Sequence, residues 1–517
     1  MRDLISKIAG ILRSRQSIGR GFAITTFFNL MSKLLGFVRE MIVAYIYGAS
    51  KPYDIFLAVL SPFSLLVGIG AGTFTSTMVP VYSHLKEESG EEEAEIYARG
   101  IVSIIILLSI ALSIFAAVSA PFIVSVFFPG FDQQTKNITT FVMRYSSIMI
   151  LFNSLELLYV QLLRMHRMFL AAVAVPTVLF NPVILLILLL TADPKKAYPL
   201  VLAWTVAHGL ISMVSLVVLG KSALPGRISG LKKPLSETFA LWLPVFLGYI
   251  AGTLNLIVDR GFASLLPEGT ISGLNYAIRL RDLPAGIITG SLTSVVYPVL
   301  ADAVAKKDHI QRDRLLRRSY QLITFAYVPV TLIFLFLGDW IVMVVYERGA
   351  FDMQARILTY QSLIFYSIGL VPLAFGSILG NFYFSHKDTK TLISVNISSV
   401  GVNALLNAML VWKMKHMGLA LATSISATYG MVMLYMIARK RYGITNVIDP
   451  VYTGKIFLSA AIVIADLLLI RHFFDGLVAV VVGGASALTL FLLTTRILRV
   501  YDVKNVLRMI ARWRDSE

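Results

Sequence analysis

The chain has 517 residues, of which 57% are hydrophobic and only 15% carry a charge. Soluble domains have about 25% charged residues, so this composition excludes an ordinary soluble protein. The absence of cysteine excludes disulfides, thiolate metal sites and cysteine nucleophiles. The net charge of +17 is typical of basic cytoplasmic loops in a membrane protein, and we do not interpret it as nucleic-acid binding.

Apolar runs of about 20 residues recur along the chain, and each is long enough to cross a hydrocarbon core of roughly 30 Å as a helix. A basic amphipathic lead-in precedes them at 1–20. Because it lacks a separate apolar core and a cleavage site, we interpret it as a retained cytoplasmic segment. We predict an all-α polytopic membrane protein with about 14 transmembrane helices, centred near residues 33, 67, 110, 150, 180, 208, 248, 287, 330, 370, 400, 426, 461 and 487.

Basic residues concentrate at both ends of the chain and in the even-numbered connections between spans. The connection between the eighth and ninth spans, for example, contains Lys306, Lys307, Arg312, Arg314 and Arg317. Cytoplasmic loops are enriched in lysine and arginine. Both termini are therefore predicted to be cytoplasmic.

Two internal similarities suggest a duplication. The segment around Pro80 resembles the segment around Pro298, and the segment around Asn181 resembles that around Asn403. The two offsets are nearly equal, at 218 and 222 residues. Two parallel halves of this kind are typical of an alternating-access transporter.

The duplication predicts two six-helix lobes around a central cavity, followed by two C-terminal helices. The predicted boundaries are a lead-in at 1–20, an N-lobe at 21–220, a cytoplasmic linker at 221–236, a C-lobe at 237–440, the two extra helices at 441–497 and a basic cytoplasmic tail at 498–517.

Charges inside the spans are few, and each costs at least about 2.5–3.5 kcal/mol at mid-depth in a bilayer. Lys33 and Arg279 have no carboxylate at helical spacing on the same face. Arg39 and Glu40 are adjacent, about 100° apart on a helix, so they are not expected to neutralise one another face to face. We expect Lys33, Arg39 and Arg279 to line a water-filled cavity and to bind the phosphates of an anionic substrate.

The other charged and amide residues of the spans have weaker predicted roles. The favoured interpretation of Asp259 is a structural network with Arg260. The alternative is that Asp259 faces Asn403 or Asn407 and binds a monovalent cation, and side chains near helix ends have the further option of reaching the membrane surface. Supporting roles in the cavity are predicted for Glu40, Asp54, Arg260 and Asp388.

No enzyme motif competes with transport. The sequence has no HExxH, no GxxxxGK[ST] and no GxSxG in a suitable context, so no catalytic residue is predicted. Without a P-loop, transport is expected to be driven by a gradient, by the membrane potential or by substrate supply. No cofactor and no firm metal site are predicted.

Four motifs, in order from about residue 20 to 400, resemble those of the MurJ (MviN) lipid II flippases of the MOP exporter superfamily. "MSKLLGFVRE" is similar to S-R-x-x-G-x-x-R-D, with Lys33 and Arg39 at its two arginines. "PFSLLVGIGAGTFTSTMVPVY" keeps the family's proline and glycine spacing. "YAIRLRDLPAGI" resembles Y-A-D-R-L-x-x-L-P-x-G-x and places Arg279 at the family's cavity arginine. "NFYFSHKDTKTL" is similar to F-Y-A-x-x-D-T-R-T-P, with Asp388 at its aspartate.

The resemblance implies a flippase that moves the undecaprenyl-diphosphate-linked peptidoglycan precursor, lipid II, from the cytoplasmic to the outer leaflet of the bacterial inner membrane. It also implies that the two extra helices form a groove for the lipid tail. The sequence departs from the family at Leu66 and Val67, where a pair of arginines is usual, at Ala71 in place of a glutamate, and at Ile278 in place of an acidic residue. One expected cavity cation is therefore missing.

Three alternatives remain open at this point. The first is export of another polyprenyl-diphosphate-linked glycan for capsule or surface polysaccharide. The second, a cation-coupled drug antiporter, would favour acidic residues in the cavity. The third, a polytopic glycosyltransferase, would need a large extracytoplasmic loop with carboxylates. The predicted partners are a lipid-linked oligosaccharide, membrane lipids and the cell-wall synthesis machinery.

Overall fold

The computed structural model describes residues 10–191 and 193–500, and this part of the chain contains helices and no strand. Long apolar runs form helices in a bilayer because a helix satisfies every backbone hydrogen bond internally. The helices are α1 Ile18–Tyr47, α2 Lys51–Val67, α3 Thr73–Ser89, α4 Glu91–Val118, α5 Ala120–Phe127, α6 Gln133–Ser146, α7 Ile148–Met165, α8 Phe169–Thr191, α9 Tyr198–Leu219, α10 Lys232–Ala263, α11 Thr270–Ala305, α12 His309–Tyr346, α13 Met353–Ile368, α14 Leu370–Ser385, α15 Thr389–Tyr442, α16 Pro450–Phe473 and α17 Gly476–Ile497.

The helices confirm the predicted all-α polytopic membrane fold. Twelve helical segments of the described chain are long and apolar enough to cross a membrane, and there are thirteen if the pair α13 and α14, bent by 48°, is counted as one broken span. Helix α15 has 54 residues and would be about 80 Å long, more than twice the hydrocarbon thickness. Its backbone leaves the helical region at Lys415 (φ 51°, ψ −133°). Counting two spans there agrees with the predicted fourteen.

The first compact unit runs to Ser272 and includes Gly349–Phe351. Helix α8 packs against both α1 and α9. On α9, Ala203 and Ala207 are fully buried, and small residues of this kind let membrane helices approach closely. A second part of the same unit is a hydrophobic cluster of α3, α4 and α7 that includes Met78 and Leu162.

A glycine-rich π-helical turn, Gly68–Gly72, joins α2 to α3. A Cβ atom on Gly68 would lie 1.7 Å from the Tyr249 ring, so a larger residue there would have to displace the ring. The Tyr249 hydroxyl donates a hydrogen bond to the Ser64 carbonyl at 2.9 Å. Helix α10 is therefore fixed against α2 in the first unit. The predicted lobe boundaries assign this helix to the C-lobe, and they stay a prediction.

The second compact unit comprises Gly273–Arg348 and the chain from Asp352 onward. Its hydrophobic core joins α12 to α16 and α17 through side chains such as Leu337, Val463 and Phe491. Inside the last helix pair, the Ser486 hydroxyl donates to the Asp466 carboxylate at 2.7 Å. Aspartate side chains accept backbone N–H bonds at the starts of α12, α13, α15 and α16, which satisfies amides that have no partner within the helix.

Candidate functional site

Arg39 lies on α1 and is buried in the first unit, with 8% of its surface exposed. Its Nη1 donates to Asn181 Oδ1 at 3.0 Å, and its Nη2 donates to Glu40 Oε1 at 2.8 Å. The guanidinium carbon lies 4.9 Å from the Trp204 ring centre and 5.5 Å from that of Phe180. Side chains of α1, α8 and α9 thus enclose one cation, combining charge-assisted hydrogen bonds with cation–π contacts.

The expectation that adjacent charges do not neutralise one another is wrong. Glu40 accepts from Arg39 and also from the Tyr53 hydroxyl at 3.1 Å. In the second unit, Arg281 and Asp282 form an ion pair at 2.8 Å in the same way. The long arginine side chain reaches around the helix, and burial makes an unpaired charge too costly. The rule that only residues three or four positions apart face each other on a helix applies to side chains that project straight outward.

Lys33 and Arg279 differ from Arg39 in exposure. Lys33 on α1 is exposed in the first unit, and Arg279 on α11 is exposed in the second. Two positions further along α11, Arg281 is held by its ion pair and lies 5.2 Å from the Tyr366 ring centre. Arg39, by contrast, is buried. The contact of Lys33, Arg39 and Arg279 with substrate stays a prediction.

Asp54 on α2 acts as a cap for the start of α11. Its carboxylate accepts from the backbone N–H of Gly269 at 2.6 Å and from that of Ser272 at 2.7 Å. The Ser272 hydroxyl donates to the same carboxylate. These three bonds occupy much of the acceptor capacity of Asp54, so its observed role is to fix a helix start.

Asp388 has a comparable position at the start of α15. It accepts from the backbone N–H of Thr391 at 3.2 Å, from the Tyr442 hydroxyl at 2.8 Å and from Arg441 at 2.9 Å. Burial by itself would raise the pKa of Asp388, but the hydrogen bonds from Thr391 and Tyr442 outweigh it and hold the pKa below its ordinary value. The carboxylate therefore joins the two ends of this 54-residue helical run.

Arg260 on α10 is held within the first unit. Its Nη1 donates to the Leu57 carbonyl at 2.8 Å and to the Ser61 hydroxyl. Both acceptors lie on α2. Arg260 thus adds a polar contact to the packing of α10 on α2.

The residues predicted to bind a monovalent cation lie in different units. Asp259 is buried in the first unit and accepts a long hydrogen bond, 3.5 Å, from Asn255. Asn403 and Asn407 are fully buried in the second unit, where Asn407 donates to Asn403 at 3.0 Å. Among the described residues, no group of three or more His, Asp or Glu is arranged to hold a metal ion. The cation site stays a prediction.

Sequence reasoning missed a buried polar pair in the first unit. His208 Nδ1 lies 2.5 Å from Glu156 Oε2, and Asn153 lies 2.9 Å from His208 Nε2. The arrangement fits the tautomer in which Nδ1–H donates to the carboxylate and Nε2 accepts from the amide. The His208 ring lies 5.0 Å from Phe180, which also contacts Arg39. Glu156 was recognisable as a charge inside a span, but no spacing links α7 to α9.

The chain is similar to a set of known transporters. The family model for lipid II flippase MurJ matches residues 43–489. A probable lipid II flippase MurJ of Thermotoga maritima is 25% identical over 492 residues, which is 94% of this chain and 97% of that protein. A solved structure described as lipid II flippase MurJ in an inward closed conformation aligns with a TM-score of 0.79 at 24% identity, over 92% of this chain and 98% of the other.

A more distant structural match points to the same fold. An inward-facing multidrug resistance transporter of the MATE family, in the MOP superfamily, aligns with a TM-score of 0.67 at 11% identity, over 80% of this chain and 94% of the other. At these identities the two structural matches show a shared fold, whereas the family model is specific to one kind of transporter.

Proposed function

Because the chain belongs to the lipid II flippase MurJ family, we propose that it translocates lipid II from the cytoplasmic to the outer leaflet of the membrane. The observation that carries this function is the family match over residues 43–489. The protein is a transporter and not an enzyme, and its substrate gives it a role in peptidoglycan biosynthesis. The family match favours lipid II over the other polyprenyl-diphosphate glycans and over drugs.

The proposed contact with the lipid II diphosphate is made by Arg279, with Lys33 assisting. Both side chains are exposed in their own units. A guanidinium fork engages two phosphate oxygens at once, which suits a diphosphate. Alternating access requires that a substrate bind one conformation better than the other, and a cation that contacts the substrate in one state only would have this effect.

For Arg39 the packing supports a positioning role instead. Its guanidinium is buried against Asn181, Trp204 and Glu40. It therefore fixes α1, the helix that also carries Lys33, against α8 and α9. Direct substrate binding by Arg39 would require this cage to open.

Complementation of a conditional lipid II flippase mutant tests the proposed function. The chain should restore growth, and failure to do so at normal membrane abundance would overturn the proposal. Accessibility of lipid II on the outer leaflet, normalised to folded protein, then tests the site. Arg279→Ala should abolish flipping at unchanged abundance, and Arg279→Lys should restore it partly, because the charge survives without the fork. Lys306→Ala, which removes an exposed cation just after α11, is the matched control and should flip normally.

The driving force is proposed to be the membrane potential or a monovalent cation. Buried Asp259 and the buried amides of Asn403 and Asn407 support the cation, because oxygen ligands of this kind hold Na⁺ in transporters. Sodium should then accelerate flipping in the wild type and not in Asp259→Asn. Equal rates in sodium and potassium, together with an active Asp259→Asn, would show that no cation is coupled through these residues.

The membrane location is proposed from the family. The chain is a multi-pass membrane protein, and we place it in the bacterial inner membrane with both termini in the cytoplasm. Contact with the cell-wall synthesis machinery stays a prediction.

A further inference from the structure

A pocket of about 600 Å³ lies in the second unit, and Arg279 is not among its lining residues. It is formed where α12 begins and α15 ends, and the short loop after α15 completes it. Three arginines and one aspartate are the charged groups of its lining: Arg312, Arg314, Arg317 and Asp313. Because two spanning helices have their ends here, the pocket lies at a membrane surface.

The inner wall of the pocket is rigid. The Arg312 side chain is only 3% exposed and donates to Asp313 at 2.8 Å and to the Tyr442 carbonyl at 3.0 Å. Asp313 also accepts from the Thr445 backbone N–H at 3.0 Å, which fixes the loop. The single carboxylate of the lining is thus occupied by protein donors and does not oppose an incoming anion.

Two further cations face the open part of the pocket. Arg314 is exposed and lines the pocket. Arg317, three positions along the same helix, has its side chain 44% exposed and forms an ion pair with Asp449. Side chains at this spacing are neighbours on a helix surface. The start of α12 is already capped by Asp308, so the arginines and not the helix amides would bind an anion.

We propose that this pocket binds the phosphate headgroup of an anionic phospholipid. Headgroup phosphates lie at the depth where spanning helices end, and basic pockets between such helices bind anionic headgroups. Arginine forks match phosphate oxygens in geometry as well as in charge. The volume falls within the range of small-ligand sites. A bound lipid would stabilise the second unit, because ligand binding to the folded state raises its stability.

The test uses the full-length protein purified in detergent, with binding of phosphatidylglycerol and phosphatidylcholine measured by native mass spectrometry and by the thermal unfolding midpoint. Phosphatidylglycerol should bind better than the zwitterionic lipid and should raise the midpoint. Arg314→Gln should weaken phosphatidylglycerol binding about fivefold, the contribution of one basic residue near an anionic surface. Arg318→Gln is the matched control, since Arg318 is exposed on the same helix and lies outside the pocket lining.

Each outcome decides the proposal. Equal affinity for the two lipids, or equal losses in Arg314→Gln and Arg318→Gln, would overturn it in favour of unspecific surface attraction. Inorganic phosphate serves as a competitor. Displacement of phosphatidylglycerol at millimolar phosphate would overturn the lipid assignment and leave a site for soluble phosphate, whereas no displacement supports the lipid. Transport is not measured, so failure here leaves the proposed flippase activity untouched.

Discussion

Replacement of Arg39 by alanine is expected to destabilise the folded protein by about 3–5 kcal/mol. The structure sets this magnitude, because the Glu40 side chain is only 5% exposed and Arg39 is its ion-pair partner at 2.8 Å. Removing one member of a buried pair leaves an uncompensated charge, which costs about 3–5 kcal/mol. The loss also removes the cation from the Trp204 and Phe180 rings and one hydrogen bond from Asn181.

A double-mutant cycle measures the pair directly. Equilibrium unfolding in mixed detergent micelles is compared for the wild type, Arg39→Ala, Glu40→Gln and the double variant. The double variant should be more stable than the sum of the single losses predicts, by about 1–3 kcal/mol, because it has no buried charge left unpaired. Lys33→Ala is the control, and its effect should stay within about 0.5 kcal/mol because Lys33 is exposed.

A stable Arg39→Ala protein that has lost flipping would refute this reasoning. Arg39 would then act on the substrate, and the cage seen here would belong to one conformation of the transport cycle. If the stability losses of the two single variants simply add in the double variant, the charge of Glu40 does not depend on Arg39 for its stabilisation.

Three further outcomes are expected. Asp388→Ala should lower the free energy of unfolding by about 1–2 kcal/mol through loss of the α15 cap. Because the pKa of Asp388 is depressed, this contribution should be constant at pH values above the ordinary aspartate pKa of 3.8 and should disappear as the pH falls through the lowered pKa. A stability deficit that persists in strong acid would contradict this prediction. Gly68→Ala should lower the thermal midpoint by displacing the Tyr249 ring, at a cost of about 1–3 kcal/mol, whereas Gly252→Ala on α10, with no atom within 4 Å of its added Cβ, should not. Lys306→Cys in this cysteine-free chain should react only with reagents that reach the cytoplasmic face, and labelling from outside would reverse the predicted topology.

The positions of the spanning helices could be predicted because the bilayer limits the possible structures. Twenty apolar residues in hydrocarbon must form a helix, so hydropathy alone locates each segment. The break at Lys415 and the π-helical turn at Gly68–Gly72 are local changes of backbone hydrogen bonding. The π-helical turn does not alter the hydropathy and was not visible in the sequence, whereas the break at Lys415 falls in the charged stretch between the spans predicted near 400 and 426.

The charged groups could be found but not paired. A charge inside an apolar run is evident from sequence, and Arg39 and Asp259 were both recognised. Their partners depend on which helices touch, as the contact between Arg39 and Asn181 across 142 positions shows. The exposure of each charged side chain could not be predicted either. The first motif predicted that Arg39 lines a cavity, whereas the structure buries it.

The two buried asparagines that the internal sequence similarity relates have different surroundings. Asn181 and Asn403 are related by the offset of 222 residues, and each is buried in its own unit. The oxygen of Asn181 accepts from a guanidinium, whereas that of Asn403 accepts from the neutral amide of Asn407. An amide oxygen bound to a fixed cation has less capacity for a mobile one, while an amide oxygen with a neutral donor retains it. The first unit therefore has a cation built into the packing around its asparagine, whereas the asparagine oxygen of the second unit has a neutral partner.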